Sequence, residues 1–509
     1  EIELPALAIQ NVESEFHTKN IPYGESIIVK HQKSVDTVVV SELGSFVLKL
    51  NETGDYEFVT TNATLIKHIR VMPLWYSIIP PLLAIVLAMI FKEVLTALLF
   101  GLFSGTVAIA WFSGNGSFGS ALFTGLFDLI DHWIVQTIAD ADHASVMLFS
   151  LLIGAVVQII RKNGGMHALV NRLARKVTTK RKGLLLTWLM GIMIFFDDYA
   201  NTLVVGNTMR PVTDRLKVSR AKLAFIVDST AAPVASLAFV TTWIGVELSY
   251  IQEGLSQLST DLSPYQLFLH SLPYRFYPFV TLVFVFLLIY MRRDYGPMLQ
   301  AETEALIKET GIESETGEKE RTSHWLNAII PVLIIVFGTF AGLIYTGYSE
   351  EVWQSGLPFI RKLSIIIGGS DAFKALLWAS MGAVLVAFFM SVFQRLLTLR
   401  EASDAIIDGF RAMLSAIVIL ILAWSLASLT QELHTANFLA GVLSSLKSLP
   451  GLLPALTFIL GALVAFSTGS SWGTMAILYP LMMPVSWKIG ELSGMPVADI
   501  NILLAQMIA

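Results

Sequence analysis

The chain changes character near residue 70. Before it, apolar and polar residues alternate. After it, long apolar runs follow one another with short polar breaks. Residues 45–50 (Ser-Phe-Val-Leu-Lys-Leu) and 55–60 (Asp-Tyr-Glu-Phe-Val-Thr) alternate with the period of a half-buried strand. Residues 51–54 (Asn-Glu-Thr-Gly) between them carry turn chemistry, so the spacing predicts a hairpin. Residues 35–40 predict a further strand. Residues 1–70 are therefore expected to form a small β domain, arranged as a sandwich. No catalytic cluster occurs in it, and a docking or covering role is the expectation.

A bilayer core of about 30 Å needs roughly 20 apolar residues per helix. Runs that meet this are 73–91, 94–112, 144–160, 223–247, 265–290, 328–347, 373–393 and 412–430. Residues 119–138 and 395–411 are amphipathic and predict interfacial helices. Residues 161–182 carry eight Lys or Arg and no acid, and 210–222 are again basic. Both stretches belong on the cytoplasmic side by the positive-inside rule. Only the apolar stretch 183–209 separates them, and one crossing would put them on opposite sides. A re-entrant hairpin that enters and returns resolves the conflict, its tip at 196–202 (Phe-Asp-Asp-Tyr-Ala-Asn-Thr). The stretch 452–487 is a second such candidate, its flanks nearly uncharged.

The expected architecture is an all-α polytopic membrane protein with two inverted repeats, re-entrant hairpins and broken helices. Residues 73–291 form the first repeat, with the hairpin 183–209 and a broken helix at 223–247. Residues 292–327 form a cytoplasmic linker, and 328–509 the second repeat, with the hairpin 452–487. Such repeats, with broken helices meeting at the midplane, are the plan of many secondary transporters. The β domain falls outside the cell on this count, which agrees with a chain that starts at Glu1 after signal-peptide removal.

Composition supports the membrane assignment. Of 509 residues, 54% are apolar and 14% charged, against about 25% charge in a soluble domain. The net charge of −5 gives no basic field for nucleic acid. The absence of cysteine excludes disulfides, thiolate metal sites and cysteine nucleophiles. No phosphate-binding loop of the ATPase type is present, and no hydrolytic arrangement stands out; the chain reads as no enzyme and needs no cofactor.

Ionisable residues inside a membrane are functional candidates because they are expensive to bury there. Asp197 and Asp198 lie at the first hairpin tip with Asn201 and Thr202. Asp228 opens the run Asp-Ser-Thr-Ala-Ala-Pro to Pro233, whose small residues and proline predict an unwound helix with free carbonyls. With Ser229 and Thr230, these oxygens suit Na+, expected at Asp228 and Asn201. A carboxylate that holds either H+ or Na+ is the minimum for exchange. The second tip offers Ser467, Thr468, Ser470, Ser471 and Thr474, a neutral face for a substrate or second cation. Asp128, Asp131 and His132 read as solvated interfacial polarity, His270 and Arg275 as residues that snorkel outward or enter an internal salt bridge, and Glu247 as a membrane edge.

Residues 195–202 (Phe-Phe-Asp-Asp-Tyr-Ala-Asn-Thr), 206–211 (Gly-Asn-Thr-Met-Arg-Pro), 228–233 and 467–474 (Ser-Thr-Gly-Ser-Ser-Trp-Gly-Thr) resemble the NhaC family of Na+/H+ antiporters. The resemblance covers about residues 73–509 and leaves out the β domain. It implies a dimer in a plasma (inner) membrane, with a transport part moving past a scaffold in an elevator mechanism, and Na+ and H+ as the transported or coupling ions. Family members continue into an acidic, His-containing Ser-Pro motif, so the natural chain is expected to run past Ala509. The alternative is a Na+- or H+-coupled carrier of a small organic solute, an amino acid or hydroxy acid. A membrane-embedded sensor, with the β domain as reporter, is the third class.

Overall fold

The computed structural model describes all residues except 1, 4–6, 20–22, 33, 61–63, 115, 175–176, 196–197, 239–240, 257, 308–322, 443–447 and 469–470. The chain falls into two compact units. One holds Glu1–Ala139, Glu253–Ser259 and Val418–Met507; the other holds Asp140–Gln252, Thr260–Ile417 and the last two residues.

The first unit opens with nine strands. β1 (Ile2–Glu3), β3 (Glu13–Thr18) and β6 (Ser45–Lys49) form one antiparallel sheet in the order β1-β3-β6. β4 (Ser26–His31), β5 (Ser34–Val39), β7 (Gly54–Val59) and β8 (Thr64–Ile69) form another, in the order β5-β4-β7-β8. β2 (Ala8–Ile9) pairs in parallel with β9 (Val71–Met72). Alternation places Phe16 and Phe46 inward from one sheet and Phe58 from the other. The Phe16 and Phe46 rings stack at 5.1 Å, with Phe58 tilted against both. The expected hairpin is replaced by a crossover: β6 pairs with β3, and β7 with β4 and β8. The Thr53 hydroxyl holds the turn, accepting from the Val71 amide and donating to the Val71 carbonyl. That sends β7 into the other sheet, where its inward face completes the core.

Two apolar helices follow, α1 (Ile79–Phe91) and α2 (Val94–Ser113), then the amphipathic α3 (Phe118–Asp128). A π-helical turn at Leu129–Ile134 joins α3 to α4 (Val135–Ala139), so residues 118–139 form one continuous helical segment. Arg70 ties the β domain to this part. Its guanidinium donates to the carbonyls of Trp111 and Gly114 and lies 4.5 Å from the Trp111 ring. A cation at the carboxyl end of α2 also complements the helix dipole.

The second unit begins with α5 (Ala141–Lys162) and α6 (Gly165–Ala174). Then come α7 (Lys180–Met193), α8 (Asp198–Arg215), α9 (Arg220–Leu237) and α10 (Thr242–Leu255), the last running into the first unit. α11 (Pro264–Ser271) and α12 (Phe276–Met291) form a bent pair at 46°. The amphipathic α13 (Gly296–Ile307), α14 (Leu326–Gly347), the short α15 (Glu350–Gln354), α16 (Phe359–Gly368) and α17 (Ala372–Phe393) complete it. α18 (Leu399–Glu432) is one 34-residue helix shared by both units. At 1.5 Å per residue it is about 51 Å long, well beyond a bilayer core. The interfacial helix expected at 395–411 is therefore the first part of a single long helix. No proline interrupts it, and its Gly409 lies backbone-to-backbone against Gly154 of α5, a close approach small residues permit. The first unit ends with α19 (Thr435–Val442), α20 (Leu453–Thr468), α21 (Ser471–Leu492) and α22 (Val497–Ile508). Six helices are long and apolar enough to cross a membrane, or seven with the bent pair, among the described residues.

A charge lattice docks α13 onto α7 and α9. Lys180 of α7 meets Glu302 at 2.5 Å, and Lys222 of α9 meets Asp294 at 2.6 Å. The other Glu302 oxygen accepts from the Ser219 amide at 2.7 Å. Burial pushes the Glu302 carboxyl up, but hydrogen bonds from Lys180 and Ser219 outweigh it and hold it below the usual carboxylate range. A carboxyl depressed on folding stabilises above its unfolded pKa and loses that contribution as pH falls through the folded value. Glu302→Gln is expected to destabilise the chain by about 3 kcal/mol, because it strands part of the lysine charge. A lowered melting temperature in detergent at neutral pH, with the difference from wild type shrinking below pH 4.5, checks this.

Candidate functional site

The stretch expected to form the first hairpin lies in α7 and α8, which contact each other. Asp197 lies outside the described residues. Asp198 opens α8, where a carboxylate is stabilised by the positive end of the helix. Asn201 is fully buried, and its amide donates to the carbonyls of Gly191 (2.7 Å), Ile194 (3.3 Å) and Thr230 (3.4 Å). It thus satisfies the carboxyl end of α7 and stitches it to α9. Its side-chain oxygen is buried and without a partner among the described residues. Thr230 is buried as well, its hydroxyl donating to the Ile226 and Val227 carbonyls of its own helix. Gly191 is required there, because a Cβ would collide with the Thr230 hydroxyl.

Thr202 and Asp228 stand on the other side of this contact. Both are exposed, and both line a pocket of about 720 Å³ between α8 and α9. Thr202, Gly206 and Arg210 contribute from α8; Arg220, Leu223, Ala224, Val227 and Asp228 contribute from α9. Asn201 and Asp228 thus occupy different positions: Asn201 is packed inside the three-helix contact, and Asp228 faces the pocket. Ser229 is half-buried beside it.

The run 228–233 does not unwind. α9 passes through Pro233 to Leu237, and α10 starts at Thr242. Proline removes one hydrogen bond, and the surrounding alanines keep the helix. Several backbone groups on either side of the α9–α10 junction have side-chain partners. Thr241 donates to the Ala235 carbonyl at 3.3 Å and accepts from the Trp243 and Ile244 amides. The Ser236 carbonyl accepts from Arg275. Arg275 also pairs with Glu247, donates to Ser271 at 3.1 Å and stacks on Phe268 at 4.8 Å. Arg275 and Glu247 are 3% and 2% exposed. Snorkelling for Arg275 and a membrane edge for Glu247 are therefore corrected to a buried ion pair. The two residues are 28 apart on different elements, so no local pattern announces the pairing.

At the second tip, between α20 and α21, the side chains of Ser467 and Thr468, and Ser470 entirely, lie outside the described residues. Ser471 is exposed at the start of α21, and Thr474 is buried one turn on. Gly473 packs on Val94, where a Cβ would come within 2.5 Å. Among the described residues no cluster of three or more His, Asp or Glu could hold a metal ion, Asp128, Asp131 and His132 included.

The pattern that defines the Na+/H+ antiporter family matches residues 234–499, just over half of the chain. The chain belongs to this family. The antiporter-family match includes the helix break, the buried ion pair and the second tip. An uncharacterised protein of Haemophilus influenzae is 30% identical over 421 residues, covering 80% of this chain and 76% of its own. The crystal structure of the Alcanivorax borkumensis YdaH transporter shares the fold, with a TM-score of 0.50 at 15% identity over 75% of this chain and 77% of that one. MtrF of Neisseria gonorrhoeae aligns with a TM-score of 0.44 at 13% identity over 75% and 83%. The antiporter-family chain is thus a transporter and an integral membrane protein.

Breaking a buried pair by removing one partner leaves an uncompensated charge, at a cost of about 3–5 kcal/mol. Arg275→Met is expected to lose that much, and adding Glu247→Gln to restore most of it. Thermal melting of the single and double variants in detergent checks this; equal losses in both would show that the charge pairing is not what matters.

Proposed function

We propose that the chain exchanges Na+ for H+ across a plasma membrane by an elevator-type alternating-access mechanism, with Asp228 as the shared carrier. The observation that carries the reading is an acid on a largely apolar helix, exposed into a pocket and without a partner among the described residues. A carboxylate there takes a proton or a hard cation, and each excludes the other. That competition is what couples the two fluxes. Thr202 supplies a neutral oxygen in the same pocket. Asp198 and Asn201 belong to the proposed set, Asn201 by holding α7 against α9 behind the pocket. Asp197, Ser229 and Thr230 complete the proposed first-tip set. Ser467, Thr468, Ser470, Ser471 and Thr474 remain the proposed second face.

The helix order supports the repeat on which an elevator depends. Two paired apolar helices, α1 with α2, precede one hairpin; another such pair, α14 with α17, precedes the other. A homodimer, a cytoplasmic 292–327 linker and an external β domain belong to the same reading. A second reading, in which the coupling ion accompanies a small organic solute, draws on two guanidinium groups that share the pocket with Asp228.

The test uses sealed proteoliposomes with an acidic interior, a pH dye and an external Na+ pulse. Wild-type chain is expected to release protons on Na+ alone. Asp228→Asn is expected to fall to the protein-free background while keeping its elution profile. Undiminished exchange in Asp228→Asn would remove Asp228 from the mechanism.

A further inference from the structure

α7 and α12 lie side by side, and an aromatic ladder fixes their register. The Trp188 indole donates to the Leu282 carbonyl at 3.2 Å, and its ring lies 5.3 Å from that of Phe286. Phe286 stacks on Tyr290 at 6.0 Å, and the Arg181 guanidinium lies 4.0 Å from the centre of the Tyr290 ring. The helices therefore run antiparallel, with the start of α7 beside the end of α12. Away from that end both expose apolar side chains: Leu189 and Met193 on α7, and Val280, Val283, Leu287 and Tyr290 on α12. Spacings of three and four keep each row on one helix face. Lys182, itself exposed, heads the α7 row seven residues before Leu189.

Four cations crown this strip, Arg181 and Lys182 on α7 and Arg292 and Arg293 just past α12. Among the described residues none of the four has an ion-pair partner. The neighbouring acids are already taken: Glu302 holds Lys180 at 2.5 Å, and Asp294 holds Lys222 at 2.6 Å. No acid stands in the first turn of α7. Nor are the two arginines needed to finish α12. Arg292 adopts a φ of 54°, and the backbone amides of Arg292 and Arg293 close the helix end on the Ile289 and Leu288 carbonyls. Four like charges in one place repel one another, and nothing in the packing compensates them. Surplus positive charge at the head of exposed apolar rows suits an anionic lipid, whose phosphate sits at the interface and whose hydrocarbon runs below it.

We propose that this strip seats an anionic phospholipid, its phosphate held by Arg181, Lys182 and Arg292, and an acyl chain lying along Leu189, Val283 and Leu287. A guanidinium fork matches phosphate oxygens, and Lys182 adds a point charge. The Tyr290 ring holds the Arg181 guanidinium in place through its π face. α12 has 16 residues and is about 24 Å long, enough to follow an acyl chain through one leaflet of about 15 Å. A free phosphate would use the cations and leave the apolar rows uncovered, so the occupant is a lipid. α7 and α12 also pack on α9, so an occupied strip bears on the helix that carries Asp228. The proposal does not depend on which ion or solute the chain carries.

The experiment is native mass spectrometry of the full chain, purified in an uncharged detergent and titrated with phosphatidylglycerol. Phosphatidylcholine is the zwitterionic control, and glycerol phosphate is the headgroup without its chains. Phosphatidylglycerol is expected to stay bound where phosphatidylcholine does not, and glycerol phosphate at about 10 mM not to displace it. Arg181→Gln and Arg292→Gln are each expected to weaken the lipid about fivefold. Lys182→Gln, at an exposed position, repeats the test if Arg181→Gln alters the elution profile. Arg395→Gln removes an equal charge from an exposed position past α17, and is expected to leave binding within about twofold of wild type. The proposal is overturned if phosphatidylcholine binds as well as phosphatidylglycerol, or if glycerol phosphate displaces the lipid. It is equally overturned if the α7 and α12 variants bind as wild type, or if Arg395→Gln costs as much as they do.

Discussion

A buried helix end cannot go unsatisfied. Its last carbonyls and first amides are shut off from water, and each must find a partner within the protein. Around the first hairpin and the α9–α10 break, that requirement decides which side chains are used and which are left over. Asn201 gives its amide to the end of α7 and to α9. Thr241 closes both sides of the break, and Arg275 takes the Ser236 carbonyl with Glu247 balancing its charge. These residues are occupied by the architecture itself.

What remains is more informative. Asp228 sits mid-helix on α9, where no helix end needs it, and it opens into a pocket. Arg210 faces the same pocket without a partner among the described residues. Polar groups spent on closing helix ends stabilise the fold; polar groups left unpaired in a cavity are free to bind something that comes and goes. The same division holds beside the end of α9. The Ala235 and Ser236 carbonyls that precede it are bonded to Thr241 and Arg275.

Much of this was legible from the residues. Span-length runs set most of the long helices. The Asp-Asn-Thr tip and Asp228 stood out because charge is costly in hydrocarbon. Long-range pairings were not legible. Phe46 and Phe58 sit on strands that a local turn signal joins, yet the packing of three phenylalanines places them in opposite sheets. Glu247 and Arg275 each read alone as an interfacial residue, because nothing in their own segments shows the other. The expected unwinding at 228–233 is absent because one proline costs α9 a single hydrogen bond, and the small helix-forming residues around it continue the helix to Leu237. The division of labour between Asn201 and Asp228 depends on which face each presents, and only the packed helices settle that.

The chain contains no cysteine, so a single introduced thiol reports without background. Ala224 lines the pocket one turn from Asp228 and is exposed. The most direct measurement is the rate at which a membrane-impermeant maleimide labels Ala224→Cys in inverted membrane vesicles, with and without Na+ and across pH. The account predicts labelling from the cytoplasmic side, slowed by Na+ but not by choline, with protection fading as protons displace the ion from Asp228. Labelling that ignores Na+ at every pH would contradict the assignment of this pocket as the cation site.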